Sequence, residues 1–291
     1  MNKSLRKPSW LRAEMLGASN TAHLTKMLAK YELHTVCESA RCPNRGECFE
    51  KGSAVFLIMG DECTRNCKFC AIPTTGHPLP LDPDEPRRVA EMSQKLGLKH
   101  IIVTSVTRDD LEDGGAEHFQ KTIKEIRTLL GEDVFIEVLT PDFKGNESAI
   151  DIVVKEKPTI FNHNLETIKR LYSIIRPQAD YERSLDLLER VKTQDPKIIT
   201  KTGIMVGLSE SQDEVLQVMK DARNVGVDMM TIGQYLQATS KNYHVQEYIH
   251  PKIFEIYREE GMKMGFLYIE SGPLVRSSYY SKDLATILQK N

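Results

Sequence analysis

Residues 54–70 read AVFLIMGDECTRNCKFC: an apolar run closed by a glycine, then three cysteines within eight residues. A short apolar run bounded by a turn residue is the pattern of a strand buried on both faces. The cysteines Cys63, Cys67 and Cys70 follow it in the spacing C-x3-C-x2-C. They are therefore expected on the loop at the strand's carboxyl end.

The chain beyond this stretch alternates two periods. LDPDEPRRVAEMSQKLG has a proline-rich helix entry and ends at Gly97. HIIVTSV (100–106) returns to a strand pattern. In 116–130, Phe119, Ile123, Ile126 and Leu130 share one helical face. DVFIEVLT (133–140) predicts a strand, SAIDIVVKE a helix and PTIFNHN (158–164) a strand. LETIKRLYSII and YERSLDLLERVK predict helices, and IITKTGIMVGL (198–208) a strand. The helix over 212–225 opens on a capping box, Ser211 with Glu214. DMMTIGQYL (228–236) ends the series. About six β/α units with short connections imply an α/β protein with a parallel sheet. Right-handed crossovers curve such a run into a partial (β/α)6 TIM-type barrel, the alternative being a flat doubly wound sheet. Functional groups then gather at the carboxyl ends of the strands. The expected division is an amino-terminal extension over 1–52, the barrel over 53–250 and a carboxyl-terminal extension over 251–291.

Composition narrows the function. A formal net charge of −2 leaves no electrostatic footprint for nucleic acid or an anionic membrane. No apolar run approaches the roughly 20 residues of a spanning helix. No signal or transit pattern opens the chain, so a cytoplasmic location is expected. All six cysteines lie at or before Cys70. A large chain without a secretion signal uses clustered cysteines for metal or redox chemistry rather than as disulfide staples. Structural zinc almost always takes four protein ligands, in spacings such as C-x2-4-C plus a second pair. A triplet with gaps of three and two residues matches an iron–sulfur loop better, and it leaves one iron without a protein ligand. HTVCESARCPNRGECFE carries a second triplet, Cys37, Cys42 and Cys48, spaced C-x4-C-x5-C. No seventh cysteine exists, so a fourth ligand there must be another residue type.

C-x3-C-x2-C after the first strand, with Phe69 before the last cysteine, resembles the radical S-adenosylmethionine superfamily. The two triplets together, CESARCPNRGEC and CTRNCKFC, resemble the lipoyl synthase family. The likeness runs from KPSWLRAEM through LDPDEPRRVA, TSVTRDDLEDGGA, FNHNLET, IRPQADYERSL, KTGIMVGLSE and TIGQYL to ESGPLVRSSYY. The family pattern departs after RSSY, at Tyr280 and Ser281, and after GQYL, where QATSKNYHV follows. Rival families with two clusters, the methylthiotransferases and biotin-synthase-like sulfur inserters, are opposed by the amino-terminal triplet and by RSSY. A zinc-binding scaffold is the non-catalytic alternative.

The resemblance implies two 4Fe-4S clusters and S-adenosylmethionine. Cys63, Cys67 and Cys70 would hold the cluster that binds S-adenosylmethionine. Cys37, Cys42 and Cys48 would hold an auxiliary cluster whose last iron takes Ser277, or Ser278 failing that. Phe69, Asn164, Glu166 and Arg176 are the candidate S-adenosylmethionine contacts, Asn164 and Glu166 at ribose and Arg176 at the methionyl carboxylate. Backbone at Gly114 and Gly115 would meet the methionyl amine. Arg276 would sense cluster or substrate charge. The implied reaction inserts sulfur at C6 and C8 of an octanoyl chain on a lysine, by radical hydrogen abstraction, with the auxiliary cluster as sulfur source. The implied partners are an octanoylated lipoyl carrier domain, from a 2-oxo acid dehydrogenase E2 subunit or the glycine-cleavage carrier protein, and a reductant such as ferredoxin or flavodoxin. Both clusters would face one cavity, with the carboxyl-terminal tail crossing the barrel mouth.

Overall fold

The computed structural model describes residues 6–11, 18–39 and 55–278. Its centre is one eight-stranded sheet whose strands lie in chain order. β1 (His34–Thr35) runs antiparallel to β2 (Val55–Ile58). From β2 onward every neighbour is parallel: β3 (His100–Ser105), β4 (Phe135–Leu139), β5 (Ile160–Asn162), β6 (Ile199–Val206), β7 (Met229–Gln234) and β8 (Tyr268–Gly272). After α1 (Ala18–Lys30) and the single-turn α2 (Val36–Ser39), helices fill the crossovers: α3 (Glu85–Lys95), α4 (Ala116–Leu130), α5 (Glu147–Lys155), α6 (Tyr172–Ile175), α7 (Tyr181–Gln194), α8 (Gln212–Asn224) and α9 (Pro251–Lys263). Among the described residues β8 pairs only with β7, so the barrel is open.

Parallel strands covered on both faces must be apolar throughout, and all four residues of β2 are buried. The main core fills the layer between sheet and helices, with Phe56, Val103, Val138 and Phe161 meeting Phe119, Ile123 and Leu188. The other face, inside the barrel, is built in steps of two residues, because side chains alternate along a strand. At the amino-terminal ends, Phe135, Ile160, Ile199, Met229 and Tyr268 form a separate apolar plug. Two residues further along, Glu137, Asn162 and Lys201 form a buried polar layer. Lys201 Nζ lies 2.9 Å and Asn162 Nδ2 3.0 Å from the same Glu137 oxygen. Two residues further again come Asn164 and Gly203, with Thr231 and Gly233 beside them, around an open cavity.

The expected elements are present, with two differences. The β/α alternation runs past residue 250, because α9 and β8 supply the sixth helix and a seventh parallel strand. No helix or strand forms in the connection 235–250, which hid this continuation from a periodicity reading. LETIKRLYSII shortens to a 3-10 turn, Lys169–Leu171, and the single turn α6. Pro177 ends it, since a residue preceding proline is pushed out of helical geometry, and Arg176 sits at ψ 63. The capping box on α8 forms as expected: Ser211 Oγ accepts from the Glu214 N–H at 3.2 Å, and the Glu214 carboxylate accepts from the Ser211 N–H at 2.9 Å.

Candidate functional site

The loop after β2 is closed at its base by backbone. The Cys63 N–H donates to Pro73 O at 2.9 Å and the Thr75 N–H to Cys63 O at 2.9 Å. The loop after β3 holds its far side. The Thr64 N–H donates to Thr107 O at 3.0 Å, and the Asp109 N–H to Thr64 Oγ1 at 3.0 Å. Arg65, between the first two cysteines, is 5% exposed. Its guanidinium makes two bonds to Asp109, at 2.7 and 2.9 Å, and one to Asp142 at 2.6 Å. Asp142 is wholly buried and also accepts from Arg183 Nε at 2.9 Å. Burial alone would push its carboxyl up; Arg65 outweighs this and holds it well below the usual carboxylate range. From the opposite side, Asn242 Nδ2 donates to Cys70 O at 2.7 Å and the Tyr243 N–H to Lys68 O at 2.8 Å.

The sulfurs receive backbone donors. Cys63 Sγ accepts from the N–H groups of Arg65 (3.4 Å) and Thr107 (3.3 Å), and Cys70 Sγ from Ile72 (3.5 Å). Burial pushes the Cys70 thiol up to about 12 and raises Cys67 as well. Such thiols become ligands only when a metal displaces their protons. Among the described residues no three His, Cys, Asp or Glu side chains gather around one ion-sized point. Three soft thiols spread along one loop, two of them with N–H donors on their sulfurs, fit an iron–sulfur cluster.

Phe69 and Cys70 form one side of a cavity of about 400 Å³ at the carboxyl ends of the strands. Cys37, buried at the start of α2, reaches the same cavity. Asn164 and Glu166 line it from the loop after β5, while Lys7, Arg276, Ser277 and Ser278 approach from the two chain ends. Glu166 extends the β5 pairing: its N–H donates to Gly203 O at 2.9 Å and its carbonyl accepts from Met205 at 2.9 Å. It does so at φ 65, an unusual backbone for a residue with a side chain. Asn164 Nδ2 donates to Glu166 Oε1 at 3.0 Å, and burial raises the Glu166 carboxyl.

Three of the cysteines expected as ligands therefore share one loop, and a fourth, Cys37, lines the same cavity as Cys70 and Ser277. Cys42, Cys48, Tyr280 and Ser281 lie outside the described residues. Arg176, expected at the methionyl carboxylate, stands behind the cavity wall. Its Nη1 donates to the carbonyls of Asn164 (2.9 Å) and Leu165 (3.1 Å) and to the Tyr172 hydroxyl (3.1 Å), so its observed work is holding the 164–166 loop. Gly114 and Gly115 are not among the residues lining the cavity, and the side on which a Cβ would stand is filled by the core: one on Gly115 would lie 2.2 Å from Met59 Sδ, and one on Gly114 3.0 Å from Phe143. Sequence reasoning missed Arg65, Asp142, Asn242 and Gln234. Gln234, at the end of β7, donates to Val206 O and Glu247 O (both 3.0 Å) and accepts from the Ile249 N–H (2.8 Å), which pins the 235–250 connection. Arg65 carried a signal, a cation between two candidate ligands; Asp142 carried none.

The Radical SAM superfamily model matches residues 57–222. A lipoyl synthase of Caldanaerobacter subterraneus subsp. tengcongensis is 56% identical over 278 residues, covering 96% of both chains. One of Alkaliphilus metalliredigens is 50% identical over 94% of both, and one of Azotobacter vinelandii 50% over 96% of this chain and 86% of its own. Among solved structures, Streptococcus suis SuiB bound to S-adenosylmethionine overlays with a TM-score of 0.59 at 10% identity, covering 92% of this chain and 61% of that one. Methylornithine synthase overlays at 0.56 and 13% identity, covering 78% and 74%. These two share the fold. With half or more of the aligned residues identical to each of these three synthases over nearly its whole length, the chain belongs to the lipoyl synthase family of the radical SAM superfamily.

Proposed function

We propose that the cavity is the meeting point of two 4Fe-4S clusters, one held by Cys63, Cys67 and Cys70 and one by Cys37, Cys42, Cys48 and Ser277. When bound, the first cluster with S-adenosylmethionine supplies the radical that removes hydrogen from C6 and C8 of an octanoyl-lysine, and the second supplies the sulfur. The observation that carries this reading is the single cavity lined by Cys37, Cys70 and Ser277. The chain's own residues position and shield. Asn164 and Glu166 offer a polar edge for the ribose, Phe69 an aromatic wall, and Arg176 fixes the loop that carries the first two. The cavity's lining is otherwise mostly apolar, with Val36, Val55 and Ile204 suited to an alkyl chain. A serine oxygen is a hard ligand among soft thiolates, which suits a bond that must open.

The proposed substrate is an octanoylated lipoyl carrier domain of an E2 subunit or of the glycine-cleavage carrier protein. The proposed electron donor is ferredoxin or flavodoxin, and the proposed setting is the cytoplasm. No helix among the described residues is long and apolar enough to cross a membrane. We further propose that the carboxyl-terminal extension begins after β8, at residue 273. The test is anaerobic reconstitution followed by mass spectrometry of an octanoylated carrier peptide incubated with reductant and S-adenosylmethionine. The expected result is a brown protein with about eight irons per chain and a peptide gaining two sulfurs. A colourless, zinc-loaded chain giving no sulfur-containing peptide would defeat the proposal.

A further inference from the structure

We infer that three glycines on neighbouring strands, Gly203 within β6, Gly233 one residue before the end of β7 and Gly272 at the end of β8, form a trough that seats Val275–Ser277 across the barrel mouth and so positions Ser277. The inference rests on the assignment of Ser277 as a cluster ligand and adds what holds it in place. After β8 the chain turns back on itself, the Val275 N–H donating to Gly272 O at 3.1 Å. It then passes over the end of β7. Val275 O lies 2.2 Å from the point where a Cβ on Gly233 would stand, and Arg276 Nη1 donates to Gln234 O at 3.3 Å. One step further it reaches β6, where Ser277 Cβ lies 3.5 Å from the Cβ point of Gly203, in ordinary van der Waals contact, while Thr231 Oγ1 on β7 is the atom that crowds that point most.

Glycine in a strand interior weakens the strand, so its presence needs a reason. Backbone conformation is not the reason here, because none of the three is among the glycines with positive φ. Space is. At Gly233 the close atom is a backbone carbonyl, which cannot rotate away as a side-chain tip can. Gly233 and Gly272 are direct partners across β7 and β8, and Gly233 pairs with Met205, two residues beyond Gly203. The three glycines therefore share the inner face, Gly233 level with Gly272 and Gly203 one inward-facing position nearer the strand starts. The trough's far end is polar: Asn164 Oδ1 is 3.1 Å from the same Cβ point as Ser277 and, though buried, has no hydrogen-bond partner among the described residues. An acceptor facing the segment at that position suits a serine hydroxyl and would reject an apolar residue.

The test compares Gly233→Ala, Gly272→Ala and Ser277→Ala in the full chain by amide hydrogen exchange over 274–278 and by lipoyl product formed. Gly233→Ala should raise exchange in that segment about tenfold and lower product at least tenfold. Gly272→Ala, whose Cβ meets only a Val275 methyl at 3.3 Å, should act in the same direction and more weakly, and it keeps the comparison readable if Gly233→Ala does not fold. Ser277→Ala, which leaves the glycines in place and removes only the hydroxyl facing Asn164 Oδ1, should lose product while exchange over 274–278 rises less than in Gly233→Ala. Unchanged exchange over 274–278 in both glycine variants overturns the trough. Product formed at the wild-type rate by Ser277→Ala overturns the ligand assignment alone, since the exchange measurement does not depend on it.

Discussion

Arg65 and Asp142 carry more of the site's geometry than any residue outside the cysteines. A loop that must present three thiols needs a rigid base, and this loop has a buried cation between two of them tied to carboxylates on the loops after β3 and β4. Removing one partner of a buried ion pair typically costs about 3–5 kcal/mol, because the remaining charge stays desolvated. Asp142→Asn leaves Arg65 with Asp109 alone and deprives Arg183 of its carboxylate. Urea unfolding of this variant should show a loss near the lower end of that range. Iron bound after anaerobic reconstitution should fall as well, while Asp151→Asn, at a half-exposed pair with Arg190 on the barrel's outer surface, should lose neither. Equal stability of Asp142→Asn and wild type would show that the network is ornamental.

At the scale of elements, the polar layer inside the barrel ties β4, β5 and β6 together through Glu137, Asn162 and Lys201. Burial works against the Glu137 carboxylate, but Lys201, with His100, outweighs it and holds it down at about 2 instead of 4.5. A carboxyl whose folded value lies below its unfolded one stabilises fully above pH 4.5, and that share is lost as the pH falls toward 2. Lys201→Met reverses the sign, since the buried carboxyl then has lost its principal counter-charge and gains by protonation. Thermal unfolding between about pH 7 and pH 3 should therefore show the largest gap between variant and wild type at neutral pH, narrowing in acid. A gap of constant size would mean that Lys201 contributes packing and no charge. The elements legible in the sequence were those whose cause is local. The stripe on α4 and the capping box on α8 are set by residues within a turn of one another. The run 165–175 turned helical only from Lys169, because Glu166 extends the β5 pairing, its N–H bonded to Gly203 O and its carbonyl to the Met205 N–H, and this tie to β6 outweighed the local helical pattern. β8 was missed because no regular structure within 235–250 precedes it, and side-chain ties from Gln234 and Asn242 order that connection.

For the molecule as a whole, the parts of the candidate site come from widely separated stretches: Cys37 before the barrel, Cys70 after its first strand and Ser277 after its last. If the two triplets serve separate clusters, they separate chemically too. Cys37→Ala should abolish sulfur insertion while 5′-deoxyadenosine still forms, measured by chromatography of the nucleoside beside mass spectrometry of the carrier peptide. Continued production of the lipoyl group by Cys37→Ala would show that the division between the triplets is wrong.

The amino-acid sequence by itself determined the β/α alternation, the class of metal chemistry and the family, because hydrophobic period and cysteine spacing are written in neighbouring residues. It also marked Ser277, through a motif. Only the tertiary structure decided that Cys37, Cys70 and Ser277 share one cavity, that Arg176 braces a loop and that Gly114 and Gly115 pack against the core. It alone brought out Asp142 and Gln234. The reason is physical. A residue's contacts across the barrel depend on strand order, register and the path of the returning tail, and those are fixed by packing among segments tens to hundreds of residues apart.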